Sequence, residues 1–577
     1  MEPLGGRSRR GIVAYVLWYR LSRLSNTQFA PIVSCFAEPI GNAKAAGLQG
    51  SEIRALNIQS GDLYRKCKAM AKSFKLGRPS RSLVVSNFEL TPPSREMADS
   101  MAALYIRSFE SAFRVLHVPS FWAEYQDFWS NPESIKTGHR LKILLVIALG
   151  SSISRHDDAD GIFRRMVQQW IYAAQEWLSG PLEKDRLDIT GVQVHCLTLF
   201  ARQIFSIGGD LVWISIGSLT HTAMQIGLHR DPKHLPKMPT LQMEVRRRLW
   251  ATILELAIQS SLDSAMPPRI SLDEFDTEAP SNNNDDELEG LTSPLQPHPR
   301  TTYTSVSFQL LLYDSLPARL RLVQLLNSLR SELSYVDVLG LGSQITEAYQ
   351  ACHAFMKQNE EAGVTAFHRN FIDFLLRRFL IPLHCPYAAR ARSNPLFSFS
   401  LKVSLDTAVT IISPEVDDGF SRLLALGGGM FREGLRYASA IIGLELIAQV
   451  EHQRIDGTLR RNIQYIDFLK RTVRDMISLA IERVRQGETN IKNVVFLNMI
   501  LGQVEAMEAG IPMELKIAQC ARDSLQTCHA LLSDRAEKTS STFSHDTMFT
   551  PTSLEGEQGD YGFDLDLDFF LSDAGFS

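Results

Sequence analysis

Apolar residues recur at helical spacing along most of this chain. In GDLVWISIGSLTHTAMQIGLHRDP, residues 209–232, Val212, Ile216, Leu219, Ala223 and Ile226 fall four, three, four and three positions apart, a continuous stripe on one helical face. Gly217, Ser218 and Gly227 leave little side chain on the adjoining surface, so a second helix can approach closely, and Asp231-Pro232 ends the run. In LQMEVRRRLWATILELAIQSSLDSAM, residues 241–266, the stripe is Val245, Leu249, Ile253 and Leu256, and Glu244 stands four residues before Arg248. Both stripes read as buried faces. Further helices are expected over 94–117, 136–154, 161–178, 306–333, 341–361, 366–380, 401–412, 434–449, 459–485 and 514–532. Strand-like alternation is nearly absent, and no internal repeat of fixed period is found. The expected fold class is therefore all-α, a multi-helix domain.

Composition changes mark the ends and one interior break. A polar Asn/Asp/Pro stretch covers 280–300, and Ser, Thr, Gly and acidic residues take over after about Asp534. The chain divides on this reading into a basic, largely flexible segment 1–95, helical regions 96–290 and 291–534, and an acidic, aromatic-rich disordered tail 535–577. The net charge of −4 conceals a strong polarity. Residues 1–95 hold fifteen Lys/Arg against five Asp/Glu, whereas 539–577 hold eight Asp/Glu and no Lys/Arg. A basic head suits a polyanion and an acidic tail suits a protein partner; two solvated ends are the plain alternative.

Seven cysteines, at 35, 67, 196, 352, 385, 520 and 528, are odd in number and never spaced CxxC, which argues against a disulfide framework. RSRRGIVAYVLWYR near the start has the flavour of a secretory leader, but its uncharged run 11–19 is short and no small-residue cleavage site follows. The most apolar run, ILLVIALG at 143–150, has the length of a buried helix rather than a membrane span, so no membrane is expected as a partner.

The phosphate-loop, dinucleotide, nucleophile-elbow and HExxH motifs are not found, which removes the usual anchors of an enzyme reading. His221, His229 and His234 lack a thiolate or carboxylate at ligand spacing and read as structural. Asp273, Glu274, Asp276 and Glu278, within DSAMPPRISLDEFDTEAPSNNNDDEL at 263–288, lack the order and glycine of a calcium loop. No catalytic, cofactor-binding or metal-ligating residue is assigned.

Two end segments carry candidate binding chemistry. YRKCKAMAKSFKLGRPSRS, residues 64–82, presents Arg65, Lys66, Lys68, Lys72, Lys75, Arg78 and Arg81 with no acid among them. Such a run serves as a nuclear-import address or a phosphate-contacting patch, each cation exchanging for counterions on a nucleic-acid backbone. A solvated basic linker is the competing reading. In DYGFDLDLDFFLSDAGFS, Phe563, Leu565, Leu567, Phe569, Phe570 and Leu571 are spaced by Asp564, Asp566 and Asp568. Too polar for a core, the tail keeps apolar side chains available to a partner groove, the composition of an activation segment. Its period of two also fits a terminal strand.

Three stretches in order, VLHVPSFW at 115–122, residues 209–232 and RRRLWATILELAIQSSLDSAMPPRISLDEFDTEAP from 246, resemble the fungal-specific transcription factor domain, the regulatory middle region of fungal zinc-cluster factors. The resemblance implies a nuclear regulator of RNA polymerase II transcription, an activator of metabolic or biosynthetic genes. Its helical body would take a signal from a metabolite or partner and control exposure of the tail. It makes 263–288 a helix stop and ordered crossover with its acids facing solvent. Members of that family carry an N-terminal cluster of six cysteines that binds zinc and docks a helix in the major groove. Only Cys35 and Cys67 precede residue 196, so the cluster cannot form from this sequence, and no zinc or other cofactor is expected in this chain. Expected partners are the transcription machinery through the tail, DNA weakly, and a dimer mate or related factor. The rivals are a zinc-less cofactor of a related factor and a helical enzyme with an unrecognised site.

Overall fold

The computed structural model describes residues 48–76, 88 and 90–541, apart from 157–160, 181–185, 209–211, 290–294, 329–332, 427 and 457–461. The described residues contain nineteen α-helices and no strand, as the periodicity predicts. The first is α1, Leu48–Leu76, followed by α2 (Arg95–Ser108), α3 (Val118–Ser130), α4 (Thr137–Ser151), α5 (Ile162–Ser179), α6 (Ile189–Ile204), α7 (Val212–Gln225) and α8 (Thr240–Asp263). α4 is apolar on nearly all faces and packs against α2 and α6. Gly150 on α4 permits that closeness, because a Cβ there would meet the Met101 carbonyl oxygen of α2 at 1.8 Å.

An irregular crossover leads from α8 to α9 (Ser307–Asp314) and α10 (Leu316–Leu326), then α11 (Tyr335–Gln358), α12 (Ala366–Arg377), α13 (Leu380–Ala388), α14 (Ser398–Ile412) and α15 (Asp418–Leu426). The chain closes with α16 (Arg432–Asp456), α17 (Ile463–Arg485), α18 (Lys492–Ala509) and α19 (Met513–Ser541). One contiguous cluster of buried apolar side chains runs from Tyr64 on α1 to Leu532 on α19, so regions 96–290 and 291–534 share a core. Most of both sequence-derived stripes lies in it: Val212, Ile216, Leu219, Ala223, Leu249, Ile253 and Leu256 are buried, while Ile226 and Val245 are partly buried and pack against it. Across the two regions, Arg319 on α10 grips Glu255 on α8 through both guanidinium nitrogens, at 2.6 and 2.7 Å, with both side chains buried.

The structure corrects several boundaries. Residues 48–76, expected to be flexible basic chain, form α1, whose Leu56, Tyr64 and Cys67 are buried; the helix packs against α19, 450 residues or more away in sequence. The helix expected over 94–117 ends at Ser108, where the chain turns around buried Glu110, whose carboxylate accepts the Leu116 N–H at 2.6 Å. The helix expected over 306–333 splits at Ser315, because Pro317 in the first turn of α10 brings no N–H to continue the α9 ladder. Among the described residues, 395–412 is long and apolar enough by composition to cross a membrane; here it lies on the body against α13 and α16.

Candidate nucleic-acid interface and buried arginine clamp

The second half of α1 turns its large apolar residues inward. The Cys67 thiol donates to the Leu525 carbonyl of α19 at 3.9 Å, and Leu63, Met70 and Phe74 pack against the core. At 100° per residue, Arg65, Lys68 and Lys72 fall within about 60° of one another on the opposite side, and all three, with Lys66, are exposed. Arg65 pairs with Asp62 one turn earlier. The sequence-derived basic patch is thus in part a helical face mounted on the body. Lys75 belongs to α1, with its side chain outside the described set; Arg78 and Arg81 lie outside the described residues, as do Phe563, Leu565, Leu567, Phe569, Phe570 and Leu571.

The most elaborate polar construction is internal. Successive residues of a helix point about 100° apart, so Arg246, Arg247 and Arg248 at the start of α8 reach three different partners. Arg246 donates to the Ile226 carbonyl at the end of α7 at 2.6 Å. Arg247 forks onto the Asp231 carboxylate at 2.9 and 3.0 Å and reaches Glu244 at 2.9 Å. Asp231 also accepts the N–H groups of Lys233 and Glu278, each at 3.0 Å. Burial works to raise the Asp231 pKa, but these donors outweigh it and hold the group at about 2.

Arg248 donates to Asp285 at 2.5 Å and to the Asn283 carbonyl at 3.0 Å; Arg114 contacts the same Asp285 oxygen, and the Val118 N–H donates to the other at 2.8 Å. Burial pushes the Asp285 carboxyl up, yet the Arg114 and Arg248 guanidiniums leave it below its ordinary range. His117 Nε2 donates to the Asp285 carbonyl at 3.1 Å, which leaves Nδ1 to accept from the Ser120 hydroxyl at 2.8 Å. Asp273, Glu274, Asp276 and Glu278 are exposed as expected, but Asp285 is not: it is a buried node joining the approach to α3, the start of α8 and the crossover. Sequence reading missed it, because nothing local separates Asp285 from exposed Asp286 beside it. This arrangement fixes the path of 276–289 over α8; each carboxylate is occupied by donors, a structural clamp rather than acid/base chemistry.

The residues present do not fit the zinc cluster of the resembled family. Cys67 is buried under α19, and burial pushes its thiol up to about 11, opposite to what a thiolate ligand needs. Cys35 lies outside the described residues. Among the described residues no group of three or more His, Cys, Asp or Glu side chains is placed to hold a metal ion.

The model of the fungal specific transcription factor domain matches residues 102–338, which contain α3, α6, α7, α8 and the whole clamp. The chain is 41% identical to the transcription factor asR3 of Sarocladium schorii over 94% of its own length and 70% of that protein's. It is 35% identical to the transcription factor opdR of Penicillium oxalicum, over 84% of this chain and 65% of the relative. It is 30% identical to the aspyridones cluster regulator apdR of Emericella nidulans, over 70% of this chain and 57% of the relative. The chain therefore spans less than two thirds of the length of the last two. No solved structure matches. With its family segment built around the clamp and a collinear relative along nearly all of its length, the chain belongs to the fungal-specific transcription factor family of transcription regulators.

Proposed function

We propose that this protein is a nuclear activator of RNA polymerase II transcription that controls a set of biosynthetic genes. The observation that carries the reading is the collinearity of 94% of the chain with a transcription factor, supported by the cluster regulator among its relatives. In this reading the helical body is a rigid regulatory scaffold that works without catalytic chemistry. The exposed face of α1 with Arg65, Lys66, Lys68 and Lys72 contacts nucleic-acid phosphate or an import receptor, a role of position rather than base readout. The aromatic and leucine residues of the tail engage the transcription machinery. The full chain fused to an unrelated DNA-binding domain should raise output from a reporter carrying that domain's site. Unchanged output at normal expression would overturn the activator assignment.

A second reading rests on the burial of Cys67, which keeps that thiol from serving as a zinc ligand. In it the chain works as a cofactor that binds a related transcription factor, or a second copy, through the helical body. Co-precipitation of such a factor, together with no binding of the isolated chain to any short DNA site at physiological salt, would favour this reading over the first.

A further inference from the structure

α1 and α19 run side by side in the same direction, which brings the cationic second half of α1 to the end of the body where α19 finishes. Three contacts fix the direction. Cys67 meets Leu525 at 3.9 Å, Met70 accepts from the Ser533 hydroxyl at 3.7 Å, and the Arg535 guanidinium stands over the Phe74 ring at 4.3 Å. The later a residue lies on α1, the later its partner lies on α19. The tail therefore leaves α19, at Ser541, beside the C-terminal part of α1, where the exposed cations lie. Residues 63–76 contain Arg65, Lys66, Lys68, Lys72 and Lys75 and no acid, whereas 555–577 contain seven Asp/Glu and no Lys/Arg.

We infer that the acidic tail, residues 555–577, docks on the exposed face of α1 formed by Arg65, Lys68 and Lys72 and competes there with external polyanions. Reach does not limit it. Glu555 lies fourteen positions beyond Ser541, enough chain to extend up to ~50 Å at about 3.5 Å per residue, while Arg65 to Lys72 spans only ~10 Å of helix. A tethered ligand meets its site at a high effective concentration, so modest charge pairing suffices. Asp564, Asp566 and Asp568 stand two residues apart in the sequence, so an extended tail would carry its carboxylates on one side, toward a row of cations. Occupied by the tail, α1 is withheld from nucleic acid; when the tail engages another protein, α1 is released. The contact itself stands apart from the proposed function, and only the identity of the competitor rests on it.

The test uses the full chain at low salt. Carbodiimide joins amines to carboxylates in direct contact, and peptide mass spectrometry should find Lys68 or Lys72 linked to Asp564, Asp566 or Asp568. Absence of such links, with Lys470–Glu508 links detected as a control, would overturn the docking. In a second arm, Asp560, Asp564, Asp566 and Asp568 are changed together to Asn, and binding to a random-sequence duplex of about 20 base pairs is measured by anisotropy. The variant should bind about tenfold more tightly than wild type, with the gain removed by adding Lys68→Gln and Lys72→Gln. A gain that survives those two changes would place the tail elsewhere and overturn the site. No duplex binding by any variant, with the cross-links present, would leave the docking standing and remove the nucleic-acid reading of α1.

Discussion

Arg248 and Asp285 meet at 2.5 Å in the interior, 37 residues apart, and Arg114 closes on the same carboxylate from 171 residues upstream. Both arginines and the aspartate are buried, so the two guanidiniums depend on the one carboxylate between them. Asp285→Ala leaves two guanidiniums without their carboxylate and should cost about 3–5 kcal/mol in chemical denaturation. A loss below about 1 kcal/mol, the scale of an exposed ion pair, would show that the clamp carries no weight.

The stripes make a second stability prediction. Leu249 is fully buried, and Leu249→Ala should cost about 2–5 kcal/mol through lost burial and the cavity left behind. Ile214 on the same α7 that contributes the first stripe is 64% exposed, and Ile214→Ala should stay within about 0.5 kcal/mol. Equal effects of the two changes would contradict the assignment of faces.

Legibility followed amphipathicity. α7 was readable because Ile214 faces solvent while Val212, Ile216, Leu219 and Ala223 do not. α6 and α18 escaped the reading for the opposite reason: ITGVQVHCLTLFARQI and KNVVFLNMILGQVEAMEA are buried around most of their circumference, so no polar face alternates with an apolar one. α1 failed differently, since its sparse inward residues Leu56, Tyr64 and Cys67 acquire meaning only against α19, far off in sequence. Asp285 was illegible for that same reason, its partners being 37 and 171 residues away. The family phrases, by contrast, are legible as text, whereas their role as a clamp depends on partners far off in sequence.

pH should act through Glu110. Burial pushes this carboxyl from an ordinary 4.5 up to about 8, against the pull of Arg114 and the hydrogen bonds from Leu116 and Tyr105. The folded state thus holds this proton more tightly than the unfolded chain, so the contribution is full below about pH 4.5 and is lost as pH rises toward 8. His195 and His384, lowered by burial to about 4, act in the opposite sense, losing stability as pH falls from 6.5 toward 4. The difference between wild type and Glu110→Gln isolates the first effect. Urea midpoints at pH 5 and pH 8.5 should fall further for wild type than for the variant, and parallel profiles would contradict the assignment.

The tail prediction separates apolar from acidic contributions. Burying one Phe or Leu in a partner groove is worth about 1.5–3 kcal/mol, and a solvated carboxylate adds little directly. Residues 555–577 fused to an unrelated DNA-binding domain should therefore activate a reporter. Changing Phe563, Leu567, Phe569 and Phe570 together to Ala should abolish the output, and Asp566→Asn alone should only reduce it. An inert wild-type fusion would shift the balance to the cofactor reading.

The claim that this chain regulates biosynthetic genes is tested most directly by deleting its gene in the fungus that carries it and sequencing the transcripts. A contiguous group of biosynthetic genes should lose expression and regain it on reintroduction of the wild-type gene. The Asp285→Ala variant should fail to restore it if its protein level falls with its stability. An unchanged transcript profile under conditions in which the gene itself is expressed would contradict the account.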